Sequence, residues 1–498
     1  MSPEVQILQQ QPPARDDRLV RVAVIGGGIS GLAAAHRAIE LAKETRTNVR
    51  VELFEASSRL GGVIHTEQIN GCIAELGADS FITNKPAAVE LCRRLELDER
   101  LIATEPTHRQ ALVLWRGKPV PIPDGFMLMA PSRILSVLAS PIFSPLGKLR
   151  IGLESLVPRR TETGDESVAA FVRRRLGREA LERLVQPLVA GIYTGDPEKL
   201  SLAATLPRFI EMERKHGSLI RAARRQHEQT GTSVESEPRE SGARYGLFAS
   251  FKDGMSELVE ALVRRIERSG VIHRGTAIGT LRRRAEADGG FALETADGRD
   301  LAFDVVVVAL PANRAAKLLA QLDSNLSTAL SAIEYASSAI VVTGHHEHDI
   351  QHPLNASGLV IPATERRQIL SVSFASRKFA GRAPAGEVVL RTFVGGALQP
   401  ELLQRTDEEL NQIVRSELAD ILGVRGEPTF VRVSRHEGAM PQYHVGHLDR
   451  VARIKTLLAA HPRLALAGNA YDGVGIPDCI ESGENAAERA LSAVVQQS

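Results

Sequence analysis

The 498-residue sequence predicts a mixed α/β and α+β protein. A Rossmann-like dinucleotide-binding domain is drawn from three discontinuous pieces, beside a largely antiparallel-sheet second domain and an inserted helical domain. Three observations carry this. Residues 21–31 read RVAVIGGGISG, an apolar strand run followed by G-x-G-x-x-G at Gly26, Gly28 and Gly31. Two further buried-strand runs, 305–310 (VVVVAL) and 464–467, lie far downstream, so one parallel sheet takes strands from separated stretches. Between these pieces, a proline-broken and then amphipathic stretch precedes several short strand-like runs punctuated by turn residues.

The glycine spacing has a physical reading. Gly26 allows the turn out of the strand, Gly28 lets backbone N–H groups approach a pyrophosphate, and Gly31 permits close helix packing. A helix over 32–41 presents its N-terminal amides to the phosphates, with Gly27, Ile29 and Ser30 completing the loop. A second strand, 49–54, ends at Glu55, where an acid suits ribose hydroxyls.

Length implies two or three domains. Hydrophobic residues at 43% and charged residues at 24% are ordinary globular values, so disorder is not the default. With 61 basic against 60 acidic residues, no global field recruits nucleic acid or anionic lipid, and any cationic site is local. Cys72, Cys92 and Cys479 form neither a C-x-x-C pair nor a disulfide framework, which fits a reducing cytoplasm. Residues 1–20 lack a basic start followed by an apolar stretch, so no signal peptide is expected. No apolar run reaches the roughly 18 residues of a membrane span.

In order, the first nucleotide-binding piece is expected over 18–88, with a hairpin at 63–75, a loop at 76–81 and Pro86 opening a helix over 87–97. Residues 89–217 read as the helical insert. Six prolines from Pro119 to Pro145, with Pro121, Pro123, Pro131 and Pro141 between, break its start, and helices follow over 146–156, 167–176 and 179–190. The apolar stretch 126–157, carrying Arg133, Lys148 and Arg150, fits faces packed on the rest of the protein better than a peripheral membrane surface. Arg173, Arg174, Arg175 and Arg178 read as a solvated helix face. Residues 226–241 are polar, without periodicity, and read as a mobile excursion. The second piece, 246–312, holds a helix to about 266, strands at 271–273 and 277–282, and a hairpin around Asp297-Gly298. The second domain, 313–436, has strands at 334–344, 358–361, 369–374 and 388–394 and a helix over 406–422. The third piece, 437–498, closes with a helix to 495. His345, His346, Glu347, His348 and His352 match no zinc spacing and are expected in an exposed loop, with no metal site.

The continuation 55–62, EASSRLGG, resembles the E-x-x-x-R-x-G-G signature of the flavin-containing amine oxidase and protoporphyrinogen oxidase superfamily, which implies FAD. Three further stretches are similar to the bacterial porphyrinogen oxidases: 191–197 (GIYTGDP) with Leu200-Ser201, 440–447 (MPQYHVGH) and 473–480 (GVGIPDCI). The resemblance spans residues 20–495 and is greatest to the Gram-positive type acting on coproporphyrinogen III, with protoporphyrinogen IX the other substrate. It implies hydride transfer from the porphyrinogen to flavin N5 in three rounds, oxygen as final acceptor and hydrogen peroxide as product, in haem biosynthesis. The protein then supplies orientation and electrostatics.

The resemblance also implies site residues. For FAD these are Gly26, Gly27, Gly28, Ile29, Ser30, Gly31, Glu55, Ala56, Arg59, Gly61, Gly62, Gly77, Ala78, Asp79, Ser80, Ile272, Gly468, Val474, Gly475 and Ile476. Gly191 is the catalytic candidate, its small size admitting a backbone carbonyl to the macrocycle. Val341 and Val360 would clamp the rings, and Phe379 would stack on a pyrrole. Lys85 would pair a propionate, since a carboxylate in an apolar pocket needs a cation; the plant-type relatives instead have an arginine where this chain has Asp98. Two other readings stay open, a flavin amine oxidase or carotenoid-desaturase relative, and a non-catalytic FAD-stabilised scaffold or haem-pathway binding protein. Oligomeric state, a homodimer included, is also open, and any membrane contact would be peripheral, at the inner face.

Overall fold

A five-stranded parallel sheet frames the molecule. The computed structural model describes residues 18–131, 133–162, 164–229, 247–285 and 290–495. The sheet runs Val271–His273, Val49–Phe54, Val20–Ile25, Val305–Val308, Leu464–Leu466, with every neighbouring pair parallel. Both faces are covered, which is why Val22–Ile25, Val305–Val308 and Leu464–Leu466 read as unbroken apolar runs. Val22 and Val24 pack beneath the helices Ile29–Thr45, Ser256–Glu267 and Ile476–Val495. Ala23 and Ile25, one residue out of phase, face the helices Ala312–Leu319 and His447–Leu458 and the meander Ile278–Arg283, Phe291–Thr295, Asp300–Phe303.

The second sheet has seven strands, in the order Phe430–Pro441, Tyr335–His346, Glu387–Gly395, Ser371–Phe374, Gly358–Val360, Ala111–Trp115, Lys118–Pro121. All pairings are antiparallel except Gly358–Val360 with Ala111–Trp115. The helix Asp407–Leu422 covers one face, held at its start by a capping box between Thr406 and Glu409.

Several expectations change. The stretch 89–217 is not wholly helical, because Ala111–Trp115 and Lys118–Pro121 join the second sheet. Pro119 and Pro121 read as breakers, yet they lie on the sheet's edge strand, where a missing N–H costs no ladder bond. The helix expected over 179–190 widens to a π turn at Leu181–Val185 just before Pro187, which lacks the N–H to continue regular bonding. Of the excursion at 226–241, residues 226–229 complete the helix Leu219–Gln229, and 230–241 lie outside the described residues.

Arg175 is no solvated residue: helical spacing puts it on the face of Phe171 and Val172. It is fully buried, donating to the Glu154 carboxylate at 2.8 Å and to the Val157 and Gly217 carbonyls. His345 and His346 end a strand instead of opening a loop, and burial lowers the His345 pKa to about 4. Among the described residues no three metal-ligating side chains converge. The leucines expected to pack in 126–157 stay partly in solvent, Leu135, Leu146 and Leu156 being 81%, 78% and 76% exposed. No described helix is long and apolar enough to cross a membrane.

Candidate functional site

The strand Val20–Ile25 delivers the chain to Gly26, whose φ of 110° turns it into the helix Ile29–Thr45. Gly31 closes that turn: a Cβ there would lie 1.8 Å from the Gly26 carbonyl oxygen. Gly28 is the opposite case, since a Cβ would meet nothing nearer than Gly62 Cα at 4.0 Å. It caps the helix without a side-chain bond, so the first-turn amides face open space. The run Gly61-Gly62 lies alongside, Gly61 N–H donating to the Gly27 carbonyl at 2.8 Å.

Glu55 accepts the Gly27 N–H at 2.7 Å and the Ser57 N–H at 2.8 Å, which leaves its carboxylate with further lone pairs for ribose hydroxyls. Arg59 donates to the Leu60, Gly62 and Ile64 carbonyls, so its guanidinium braces this turn. Ala56 is exposed beside Glu55, and Ile272 is partly buried opposite Leu53 on the next strand. An open, amide-rich helix start with an acid one strand away fits a dinucleotide.

The loop Gly77, Ala78, Asp79, Ser80 rests on charges that sequence reasoning did not identify. The Lys378 ammonium reaches both Asp79 oxygens at 3.1 and 3.0 Å and the Ser80 hydroxyl at 3.1 Å. Arg391 pairs with Asp79 at 2.7 Å and donates to the Glu75 and Gly77 carbonyls. Burial pushes the Asp79 carboxyl up, but Lys378 and Arg391 outweigh it and hold the group well below the usual carboxylate range. Glu75, buried with Arg382 at 3.9 Å, is pushed up by burial. One signal was available: Arg391 interrupts the apolar strand VVLRTFV, and an arginine in a buried strand needs a partner.

The C-terminal glycines precede the helix Ile476–Val495, which packs on the helix Ile29–Thr45. A Cβ at Gly468 would meet only the Leu310 carbonyl, at 3.9 Å. Gly475 N–H donates to Asp478 at 3.2 Å, Ile476 enters the core, and Val474 packs on the helical region. Lys85 also binds Asp478, with its side chain 51% exposed. It therefore stands beside the Gly473–Ile476 loop with its charge already paired.

Gly191 is exposed near the end of the helix Gln186–Tyr193, and a Cβ there would meet nothing within 4 Å. Thr194 ends this helix and accepts the Ala397 N–H at 2.8 Å, tying it to the second sheet. Val360 is partly buried against the same helical core as Val474. Two expectations fail. Val341 is fully buried beneath the helix Asp407–Leu422, on the sheet face opposite Ile340 and Val342, so strand alternation turns it away from the cleft. Phe379 is 1% exposed, its ring flanked by Lys378 at 5.2 Å and Arg382 at 5.5 Å, and has no open face for a pyrrole.

The chain is similar to known proteins along most of its length. The model of flavin containing amine oxidoreductases matches residues 29–491. The coproporphyrinogen III oxidases of Bacillus subtilis and Staphylococcus aureus are 34% and 33% identical to this chain, covering 95% of it and 98% and 99% of themselves. The crystal structure of a provisionally assigned protoporphyrinogen oxidase from Exiguobacterium sp. 255-15 matches with a TM-score of 0.82 at 30% identity, over 96% of this chain and 99% of that one.

Proposed function

Since the chain belongs to the flavin containing amine oxidoreductases, we propose that it is an oxygen-dependent porphyrinogen oxidase of haem biosynthesis, with FAD as cofactor and coproporphyrinogen III as preferred substrate. The observation that carries this is the end-to-end similarity to coproporphyrinogen III oxidases. FAD, when bound, supplies the hydride acceptor.

The chain's own residues bind and orient. The first-turn amides beside Gly28 take the pyrophosphate, and Glu55 takes the ribose hydroxyls. Asp79, fixed by Lys378 and Arg391, holds the Gly77–Ser80 turn rigid. Gly191 leaves space at its helix end for a flat macrocycle, while Val360 and Val474 exclude water from that gap. Lys85 serves first as the anchor of the Gly473–Ile476 loop through Asp478. A propionate would have to compete with Asp478 for it.

The test is side-by-side turnover of coproporphyrinogen III and protoporphyrinogen IX by the FAD-loaded protein, following porphyrin fluorescence and peroxide. Higher kcat/KM on the first is expected; fluorescence from neither contradicts the reading.

The same reading includes a cytoplasmic protein resting on the inner face of a membrane. It is supported by the exposed leucines 135, 146, 149 and 156 lying in a stretch that also carries Arg133 and Lys148. Leu146→Glu with Leu149→Glu should abolish cosedimentation with anionic-lipid vesicles at unchanged Tm; retained cosedimentation rules the contact out.

A further inference from the structure

Residues 442–447 bond both to the helical region that carries Gly191 and to the start of the Gly468–Ile476 loop. On the helical side, the Gln442 amide donates to the Tyr193 carbonyl at 3.2 Å, and the Tyr443 carbonyl accepts the Ser201 N–H at 2.7 Å. The Val445 N–H donates to the Lys199 carbonyl at 2.9 Å, and the Gly446 N–H to Asp165 at 3.1 Å. On the nucleotide side, the Tyr443 hydroxyl donates to the Asn469 carbonyl at 2.6 Å, and the Asn469 amide donates to the Ala439 carbonyl at 3.0 Å. Tyr193 closes the helix that carries Gly191, and Asn469 follows Gly468.

Tyr443 thus bonds in both directions, and its ring cannot yield between the two bonds. It is 2% exposed and stacked on His447 with centroids 3.9 Å apart and planes 14° from parallel. His447 is itself fully buried at the start of the helix His447–Leu458. Burial raises the Tyr443 phenol well above its ordinary range, so it stays a hydrogen-bond donor.

We infer that Tyr443 is a positioning residue for the oxidation proposed above: bonded to Ser201 on one wall and Asn469 on the other, it fixes the width of the gap that receives the macrocycle. It touches neither reacting atom. Its effect is on the separation and angle of the two surfaces, to which transfer rates respond steeply. The inference rests on the proposed function for its kinetic consequence, but the spacing it sets belongs to the fold.

The test compares FAD-loaded wild type with Tyr443→Phe, which deletes only the hydroxyl. Tyr335→Phe is the control, because the Tyr335 hydroxyl accepts the Ala312 N–H at 2.6 Å, so that its loss removes one buried tyrosine bond of similar kind. Tyr443→Phe should lower kcat roughly tenfold to a hundredfold with KM changed far less, and should alter the visible circular dichroism of the bound flavin. Tyr335→Phe should match its loss of Tm while keeping kcat and the flavin spectrum. Wild-type kcat and spectrum in Tyr443→Phe overturn the inference, as does an equal kcat loss in Tyr335→Phe. If wild type oxidises neither porphyrinogen, the proposed function fails, and the spectra alone decide the inference. Should Tyr443→Phe not retain FAD, Gln442→Met, which cuts the Tyr193 bond from the same segment, is read by the same criteria.

Discussion

The two ends of the cleft are held by different kinds of contact. At the Gly26–Gly31 end, the turn, the helix start and Glu55 lie within about 30 residues, and the bond that joins them, Gly27 N–H to Glu55, spans 28. Beside Gly191, the bond from Gln442 to the Tyr193 carbonyl spans 249 residues, and under the Gly77–Ser80 loop Lys378 reaches Asp79 across 299. Local backbone geometry dictates the first, and assembly of the whole chain dictates the second. The first should therefore fail through sterics at single glycines, and the second through loss of coupling between parts that remain folded.

The largest expected effect is at the local end. Gly31→Ala forces a Cβ against the Gly26 carbonyl and should cost about 1–3 kcal/mol of stability together with most FAD affinity. Gly28→Ala meets open space, so it should leave the Tm of the cofactor-free protein unchanged while weakening FAD on the order of tenfold or more, measured by quenching of flavin fluorescence. Equal effects of the two on Tm would break the distinction between a packing glycine and a ligand-facing one.

At the assembled end, acid should act through His447. Burial, helped by Arg450, lowers its pKa from 6.5 to about 4. Above pH 6.5 neither folded nor unfolded chain protonates it. Between 6.5 and about 4 the unfolded chain takes up a proton that the folded one refuses, so stability falls with pH and levels off below. That difference corresponds to about 3 kcal/mol. Chemical denaturation from pH 7 to 4 should show the fall, and His447→Gln should flatten it by that amount; an unchanged slope would remove His447 from the account.

A smaller effect is expected from Lys85→Ala. With its ammonium paired to Asp478, the loss should be a fewfold drop in kcat/KM, equal for coproporphyrinogen III and protoporphyrinogen IX. A loss confined to coproporphyrinogen III would show that Lys85 leaves Asp478 for a propionate.

This division also explains what could be read in advance. The strand, glycine loop, helix and Glu55 were legible because their spacing is imposed within one βαβ unit. The strands Val305–Val308 and Leu464–Leu466 were legible because burial on both faces leaves only apolar residues there. The edge strand Lys118–Pro121 was not, because its prolines are excluded only from strands paired on both sides. Val341 and Phe379 were expected at the rings from the resemblance alone, and the sequence offers no check on it, because an apolar residue in a strand or loop does not announce which face it takes. Arg175 and Lys378 were missed because a buried cation looks like any other until its partner, far along the chain, is known.

The central claim, that this cleft couples a bound flavin to a porphyrinogen, is tested most directly by rapid anaerobic mixing of the FAD-loaded protein with coproporphyrinogen III. Bleaching of the flavin absorbance is expected, and its return on admission of air with release of hydrogen peroxide and porphyrin fluorescence. A flavin that stays oxidised through the mixing would contradict it.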